Sequence, residues 1–130
     1  MSGFKHMSNI SDLIFYKFPF ICYGEIKSHK GNTFPLSNLT QYEKLLAKKG
    51  IKGVRAGVIL WFIDHDKVLW VPIETFEKLR KEDKKSVNVK MDYEEYNIIE
   101  IPSQKRRVFL DSDYSILFME WDKQLNENGI

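Results

Sequence analysis

The sequence predicts an α/β domain that is built around a mixed β-sheet. Apolar, strand-like runs occur in pairs with short connections, and an amphipathic segment follows each pair. The resulting order of two strands, a helix, two strands and a helix is typical of α/β domains and not of bundles or sandwiches. With 130 residues, of which 43% are hydrophobic, the chain has the size of one domain and can form a core.

The first predicted hairpin joins "DLIFY" at 12–16 to "FICYGEIK" at 20–27 through three residues. Side chains alternate between the two faces of a strand, so Glu25 and Lys27 share a face. Antiparallel pairing across a short turn places the start of one strand beside the end of the next. The pattern therefore predicts that Asp12 lies close to Glu25.

The segment that follows is predicted to be a loop, "GNTFPLSNLT", and then a helix from Gln41 to about Lys49. Thr40 or Asn38 is the candidate N-cap, and Gly50 is the candidate C-cap.

Further along the chain, "AGVILWFI" and "VLWVPI" flank the polar "DHDK" and predict a hairpin of two central strands. "ETFEKLRKED" predicts a short amphipathic helix and "EEYNIIEIP" an edge strand. "RRVFLD" and "YSILFMEW" are compatible with either a strand or a helix. "DHD" at 64–66 suits a polar hairpin turn better than a metal site, because its spacing matches no specific metal motif.

Charge is unevenly distributed along a chain whose formal net charge is only +2. Residues 44–55 include five basic side chains and no acidic one, whereas the segment from Asp111 to the end has five acids and one lysine. Such a division predicts one end that is suited to phosphates. The same basic run is also compatible with a helix face that only improves solubility.

The sequence shows no sign of secretion or of membrane insertion. Cys22 is the only cysteine, so it cannot form an internal disulfide, and its apolar strand predicts a buried thiol. The longest apolar stretch is too short to span a bilayer, and the N-terminus lacks a signal-peptide core. We therefore expect a cytoplasmic protein without a membrane partner.

Two carboxylates and a lysine are predicted to meet at the open end of the first hairpin. Asp12 and Glu25 supply hard oxygen ligands of the kind that Mg²⁺ prefers. Lys27 on the same face suits the orientation of an attacking water and the stabilisation of charge on a phosphate. On spacing alone, a surface ion pair between Glu25 and Lys27 is the better explanation of the pattern.

The flanking residues make the pattern more specific. "SD" at 11–12, "EIK" at 25–27 and "NTFPLSN" at 32–38 resemble the PD-(D/E)XK nuclease superfamily, and within it the RecU-type Holliday-junction resolvases and their phage relatives. The resemblance extends over roughly residues 4–85, because "GVILWF", "VLWVPI" and "KKSVN" are similar to later strands and a basic turn of that family. It implies a restriction-endonuclease-like mixed β-sheet flanked by helices, in a single nuclease-like domain over residues 1–130.

The resemblance also implies roles for individual residues. Asp12 and Glu25 would bind Mg²⁺, or Mn²⁺, together with the backbone carbonyl of Ile26, and Lys27 would be the catalytic lysine. The implied substrate is branched DNA such as a four-way junction, and because two symmetric cuts need two sites, a homodimer is expected. The residues predicted to contact DNA are polar or basic and follow the Glu-x-Lys motif: His29, Lys30, Thr33, Gln41, Lys44, Lys48, Lys49, Lys52 and Arg55.

Two departures from the family pattern affect turnover more than fold. No acidic residue precedes Asp12, so the family's N-terminal helix with its glutamate has no counterpart. The family's glutamine in the following helix corresponds by counting to Glu43, whereas Gln41 lies two residues earlier. Two alternatives therefore stay open. One is a catalytically weak or inactive, structure-selective DNA-binding protein of the same fold. The other is an interaction module with no nucleic-acid role, in which Glu25 and Lys27 form a structural pair.

Overall fold

The elements follow one another in an order close to the predicted one. A computed structural model of the chain describes residues 13–102 and 114–128, and in that part it has seven strands and three helices. They are β1 (Leu13–Lys17), β2 (Phe20–His29), β3 (Thr33–Pro35), α1 (Tyr42–Leu46), β4 (Val54–Phe62), β5 (Lys67–Pro72), α2 (Ile73–Lys81), β6 (Ser86–Asn88), β7 (Ile99–Ile101) and α3 (Ser115–Asn128).

Five of the strands form one mixed sheet in the order β1-β2-β4-β5-β7. β2 and β4 are parallel, and the other three pairs are antiparallel. β3 and β6 form a separate antiparallel pair. The α/β class and the mixed sheet are thus confirmed, whereas Asp12 and the predicted element at 106–111 lie outside the described residues.

Both predicted hairpins are present, and β7 is the predicted edge strand. The predicted helix at 41–49 is shorter than expected, because after Leu46 the backbone forms i→i+3 turns, with Lys49 N donating to Leu46 O at 3.0 Å. Gln41 precedes the helix without a side-chain capping bond, so neither candidate N-cap is used. Gly50 then has a φ of 81°, the left-handed conformation that glycine adopts readily.

Two hydrophobic layers cover the two faces of the five-stranded sheet. On one face Val58 and Leu60 of β4 pack with residues of α1 and α2, such as Leu45 and Phe76. On the other face Ile59 packs in a cluster that includes residues of α3. From Ala56 to Phe62, β4 is packed on both faces and its sequence is continuously apolar, as the prediction of a central strand requires.

Paired glycines allow the indole of Trp70 to lie close against the sheet. Gly24 of β2 pairs with Gly57 of β4, and ring atoms of Trp70 lie 3.7 Å and 3.0 Å from where their Cβ atoms would be. A Cβ on Gly57 would also lie 2.5 Å from the carbonyl oxygen of Val71. This distance is far below van der Waals contact.

We expect Gly57→Ala to lower the free energy of unfolding by about 1–3 kcal/mol, because backbone atoms cannot move aside cheaply. Gly24→Ala is the matched control. Its Cβ would first meet the flexible end of Ile59 at 3.4 Å, so it should cost clearly less. Urea denaturation of both variants measures the difference, and equal losses would contradict the packing described here.

Candidate functional site

A row of polar side chains lies along one face of β2. Tyr23 packs against the core layer beneath α1 and α2, and Glu25 and Lys27 follow it at two-residue intervals. In the register with β4, Glu25 lies beside Val58 and Lys27 beside Leu60 of that same layer. Successive members of the row are about 6.6 Å apart along the strand.

Glu25 is the one charged side chain that is buried in the described part of the chain. The residue is only 4% exposed, and Lys27 Nζ lies 3.6 Å from its Oε1. The Lys27 side chain is 28% exposed, so the ion pair extends from the interior to the protein surface. Burial of a carboxylate is costly unless charge or hydrogen bonds compensate for it. A carboxylate and an ammonium are therefore held together at the edge of a low-dielectric interior.

A second ammonium lies over the same face. Lys48, in the turn that follows α1, places its Nζ 4.5 Å from the centre of the Tyr23 ring. Cations are attracted to the faces of aromatic rings, so Tyr23 helps to hold Lys48 in this position. Lys48 thus lies near Tyr23, two residues before Glu25, and Lys27 lies two residues after Glu25 on the same face. The strand alternation that groups Glu25 with Lys27 also includes Tyr23, and this was the signal for its place in the row.

The residues just beyond the row are close to the site but differ in their surroundings. His29 is the next residue on the same face and contacts the Phe34 ring edge-to-face at 5.6 Å between ring centres. Lys30 is exposed in the turn that follows. Thr33 is exposed in β3 and pairs with Asn88 of β6. The structure therefore brings His29 and Lys30 to the end of the row and places Thr33 on the adjoining pair of strands.

The "DHD" turn between β4 and β5 holds the loop after β2. Asp64 accepts a hydrogen bond from the backbone N–H of Gly31 at 2.8 Å, and Nε2 of His65 lies 2.6 Å from Oδ1 of Asn32. Both side chains are thus engaged in joining two loops. This agrees with the interpretation of the segment as a polar hairpin turn.

The basic run at 44–55 does not form one uniform surface. Lys44 and Lys52 are exposed, whereas Lys49 forms an ion pair with Glu77 of α2 at 2.5 Å. This hydrogen bond raises the pKa of Lys49 and lowers the pKa of the Glu77 carboxyl. Gln41 is half-buried at the start of α1, where its backbone carbonyl accepts a hydrogen bond from Leu45 N. The pairing of Glu77 with Lys49 could not be predicted from the local sequence, because α2 comes close to Lys49 only in the folded chain.

Arg55 lies on the opposite face of the sheet from Glu25. It is beside Cys22 in the register of β2 and β4, and its guanidinium lies 5.0 Å from the ring centre of Phe20 and 5.9 Å from that of Trp121. Partial burial is the main cause of the lowering of its pKa. The structure therefore does not bring Arg55 together with the row on β2. Cys22 is fully buried as predicted, and burial raises the pKa of its thiol.

The two segments of the family resemblance that follow the row are neighbours in space. Leu36 N donates to Lys85 O at 2.9 Å, and Val89 N donates to Asn32 O at 2.9 Å. These bonds extend the β3–β6 pairing on either side, so "NTFPL" and "KKSVN" form one structural unit. That unit adjoins the loop after β2.

Comparisons with known proteins assign the chain to no family: no family model matches it, and no curated protein is similar to it. Among residues 13–102 and 114–128, no group of three or more His, Cys, Asp or Glu side chains could hold a metal ion. None of the helices in the same ranges is long and apolar enough to cross a membrane.

Proposed function

We propose that the protein is a metal-dependent endonuclease of restriction-endonuclease-like fold that cuts branched DNA such as four-way junctions. The observation that carries the proposal is the buried Glu25 carboxylate with the Lys27 ammonium 3.6 Å away on the same strand face. Lys48 adds a second cation on that face. The resemblance of the surrounding residues to resolvases supplies the substrate class.

Glu25 and the backbone carbonyl of Ile26, both on β2, are oxygen donors of the kind that suits Mg²⁺ or Mn²⁺. Mg²⁺ is typically bound through one or two carboxylates and keeps other positions for waters and a substrate phosphate. Glu25 supplies one carboxylate, and in this proposal Asp12 supplies the second and Ile26 a backbone carbonyl. When bound, the ion would polarise the phosphodiester and lower the pKa of a water.

The two lysines have different tasks in the proposed reaction. Lys27, beside the carboxylate, orients the attacking water and stabilises the negative charge that develops on the phosphate. Lys48 binds a neighbouring phosphate of the same DNA strand, because its ammonium lies over Tyr23, two residues before Glu25 on the same face of β2. His29, Lys30 and the exposed lysines at 44 and 52 add contacts to the DNA backbone.

The test is incubation of an end-labelled four-way junction with the protein, with and without Mg²⁺ or Mn²⁺. Native and denaturing gels show binding and cutting side by side. We expect symmetric nicks that require the metal and disappear in Asp12→Ala and Lys27→Ala. Absence of both binding and cutting at low salt would overturn the nuclease proposal.

A second candidate is a structure-selective DNA-binding protein of the same fold that does not cut. It is favoured by the ion pair itself, because Lys27 already compensates the charge of Glu25 without a metal. A shifted junction band without nicks, and with an affinity that falls steeply with salt, would select this candidate.

Lys48→Ala is expected to weaken junction binding severalfold while kcat changes little, because the lysine binds a phosphate away from the reacting one. Removal of one phosphate contact should reduce the slope of log K against log salt by about 0.9. Lys48→Arg should restore most of the binding. Lys123→Ala is the control, since this exposed lysine lies on α3, which packs on the other face of the sheet. An unchanged salt slope in Lys48→Ala would contradict the assignment.

A further inference from the structure

β1 presents an apolar edge of the five-stranded sheet. Within the described part of the chain, the strand that pairs with β1 is β2 alone. Ile14, Tyr16 and Phe18, on β1 and in the turn after it, are 57%, 70% and 81% exposed. An exposed apolar edge strand readily pairs with another chain, and soluble proteins usually protect such edges.

We infer that two copies of the chain associate through this edge, with the two β1 strands antiparallel and a two-fold axis at Phe15. In this register all five residues of Leu13–Lys17 are paired. Ile14 lies opposite the partner's Tyr16, and Tyr16 lies opposite the partner's Ile14. Aliphatic and aromatic side chains that lie opposite each other in this way stabilise an antiparallel pairing.

Charge supports the same register. Lys17 is the one charged residue of β1, and with the axis at Phe15 it lies opposite the partner's Leu13. The two lysines are then at opposite ends of the paired strands. A register centred on Lys17 would instead place two ammonium groups directly opposite each other, which is destabilising.

The available area predicts a weak, reversible dimer. On a scale of about 200 Å² for a buried aromatic side chain, Tyr16 and Phe18 together expose roughly 300 Å² in each copy. Two copies contribute about 600 Å² before Ile14 and the strand backbone are included, which is below the roughly 1,200 Å² at the low end of specific interfaces. The association should therefore depend on protein concentration.

This arrangement would place both candidate sites on one side of a continuous ten-stranded sheet. An axis perpendicular to the sheet keeps the two Glu25 rows on the same face. The two-fold axis passes beside Phe15, whose partner on β2 is Cys22. Glu25 lies three residues along β2 from Cys22, and β2 is one strand further from the axis than β1. The two Glu25 positions are therefore about 25 Å apart. Two cutting sites would then face one branched DNA, and this consequence rests on the proposed function. The dimer itself does not depend on the proposed function.

Sedimentation equilibrium tests the dimer. We expect the average mass of the wild-type protein to rise towards twice that of the monomer between about 10 and 500 μM, the range for a weak association. The double variant Ile14→Lys/Tyr16→Lys should stay monomeric and keep the wild-type circular dichroism spectrum. Met119→Lys is the matched control, because Met119 is 68% exposed on α3 and should leave the association unchanged. A monomeric wild-type protein at every concentration, or a double variant that still dimerises, would overturn the inference.

Cross-linking tests the register. Residues opposite each other in an antiparallel pair lie within disulfide range, so Ile14→Cys/Tyr16→Cys should form a covalent dimer on oxidation. In Ile14→Cys alone the two thiols are diagonal, about 8 Å apart between Cα atoms, and should not link. Efficient linking of the single variant would exclude the axis at Phe15. Junction cutting by the wild-type protein is measured separately, so a failed dimer and a failed nuclease are distinguishable.

Discussion

Glu25→Gln is expected to reduce metal-dependent cleavage of a four-way junction by about a hundredfold or more, while junction affinity changes little. Glutamine keeps the size of the side chain in its buried position but removes the negative charge that a metal ligand needs. Single-turnover cleavage with excess enzyme measures the chemical step, and gel shifts measure binding. Glu100→Gln is the control, because Glu100 pairs with Lys67 at 3.8 Å at an exposed position.

The stability of the same variant separates a functional carboxylate from a structural ion pair. Glu25→Gln removes a buried charge and leaves Lys27, which is exposed enough to be hydrated. If the site is kept for function, the free energy of unfolding should stay the same or rise by about 1 kcal/mol. A clear loss of stability, together with full cutting activity, would show that the ion pair is structural. The catalytic site would then not be at Glu25 and Lys27.

Trp121→Ala is expected to lower the free energy of unfolding by about 3–5 kcal/mol, the largest effect on stability that we predict. Trp121 is 2% exposed, and its ring centre lies 5.5 Å from Trp70, 5.7 Å from Phe20 and 5.1 Å from Phe118. It therefore links α3 to β2 and β5, and its loss would leave a large cavity in that layer. The Arg55 guanidinium would also lose its contact with the indole ring.

Met119→Ala provides the comparison within the same helix. Met119 is two residues away on α3 but is 68% exposed, so its truncation should change stability by less than about 0.5 kcal/mol. Urea denaturation gives both values. A loss below about 1 kcal/mol for Trp121→Ala would contradict the packing of α3 against the sheet.

The hairpins were predictable from the sequence because their signals are local. Apolar runs around short turns gave β1–β2 and β4–β5 within a few residues of their observed ends. β3 and β6 were not predictable, since each has three residues and is stabilised by pairing across 50 residues of chain. The segment "YSILFMEW" became helical through the docking of its apolar residues on the sheet, a tertiary effect that local pattern does not contain.

The sequence predicted how the residues of the candidate site are arranged along one strand, β2, but not how they lie relative to other elements. Alternation along β2 placed Glu25 and Lys27 on one face, and the structure has them there. The faces of different strands depend on register, so the sequence did not reveal that Arg55 lies on the other side of the sheet. Contacts between distant elements, such as Lys49 with Glu77 and Lys48 with Tyr23, depend on how the helices pack and are equally invisible locally.

Trp121 of α3 and Trp70 of β5 form a pair of contacting indoles, which gives the protein an intrinsic spectroscopic probe. The ring centres of Trp70 and Trp121 are 5.5 Å apart and the rings are inclined by 69°, so the two indoles are close enough for their electronic transitions to couple. The circular dichroism spectrum of the folded chain should therefore contain a contribution that belongs to the pair and not to either ring. Trp61, half-buried on β4, provides a separate signal. Detachment of α3 from the sheet can thus be followed by spectroscopy without any attached label.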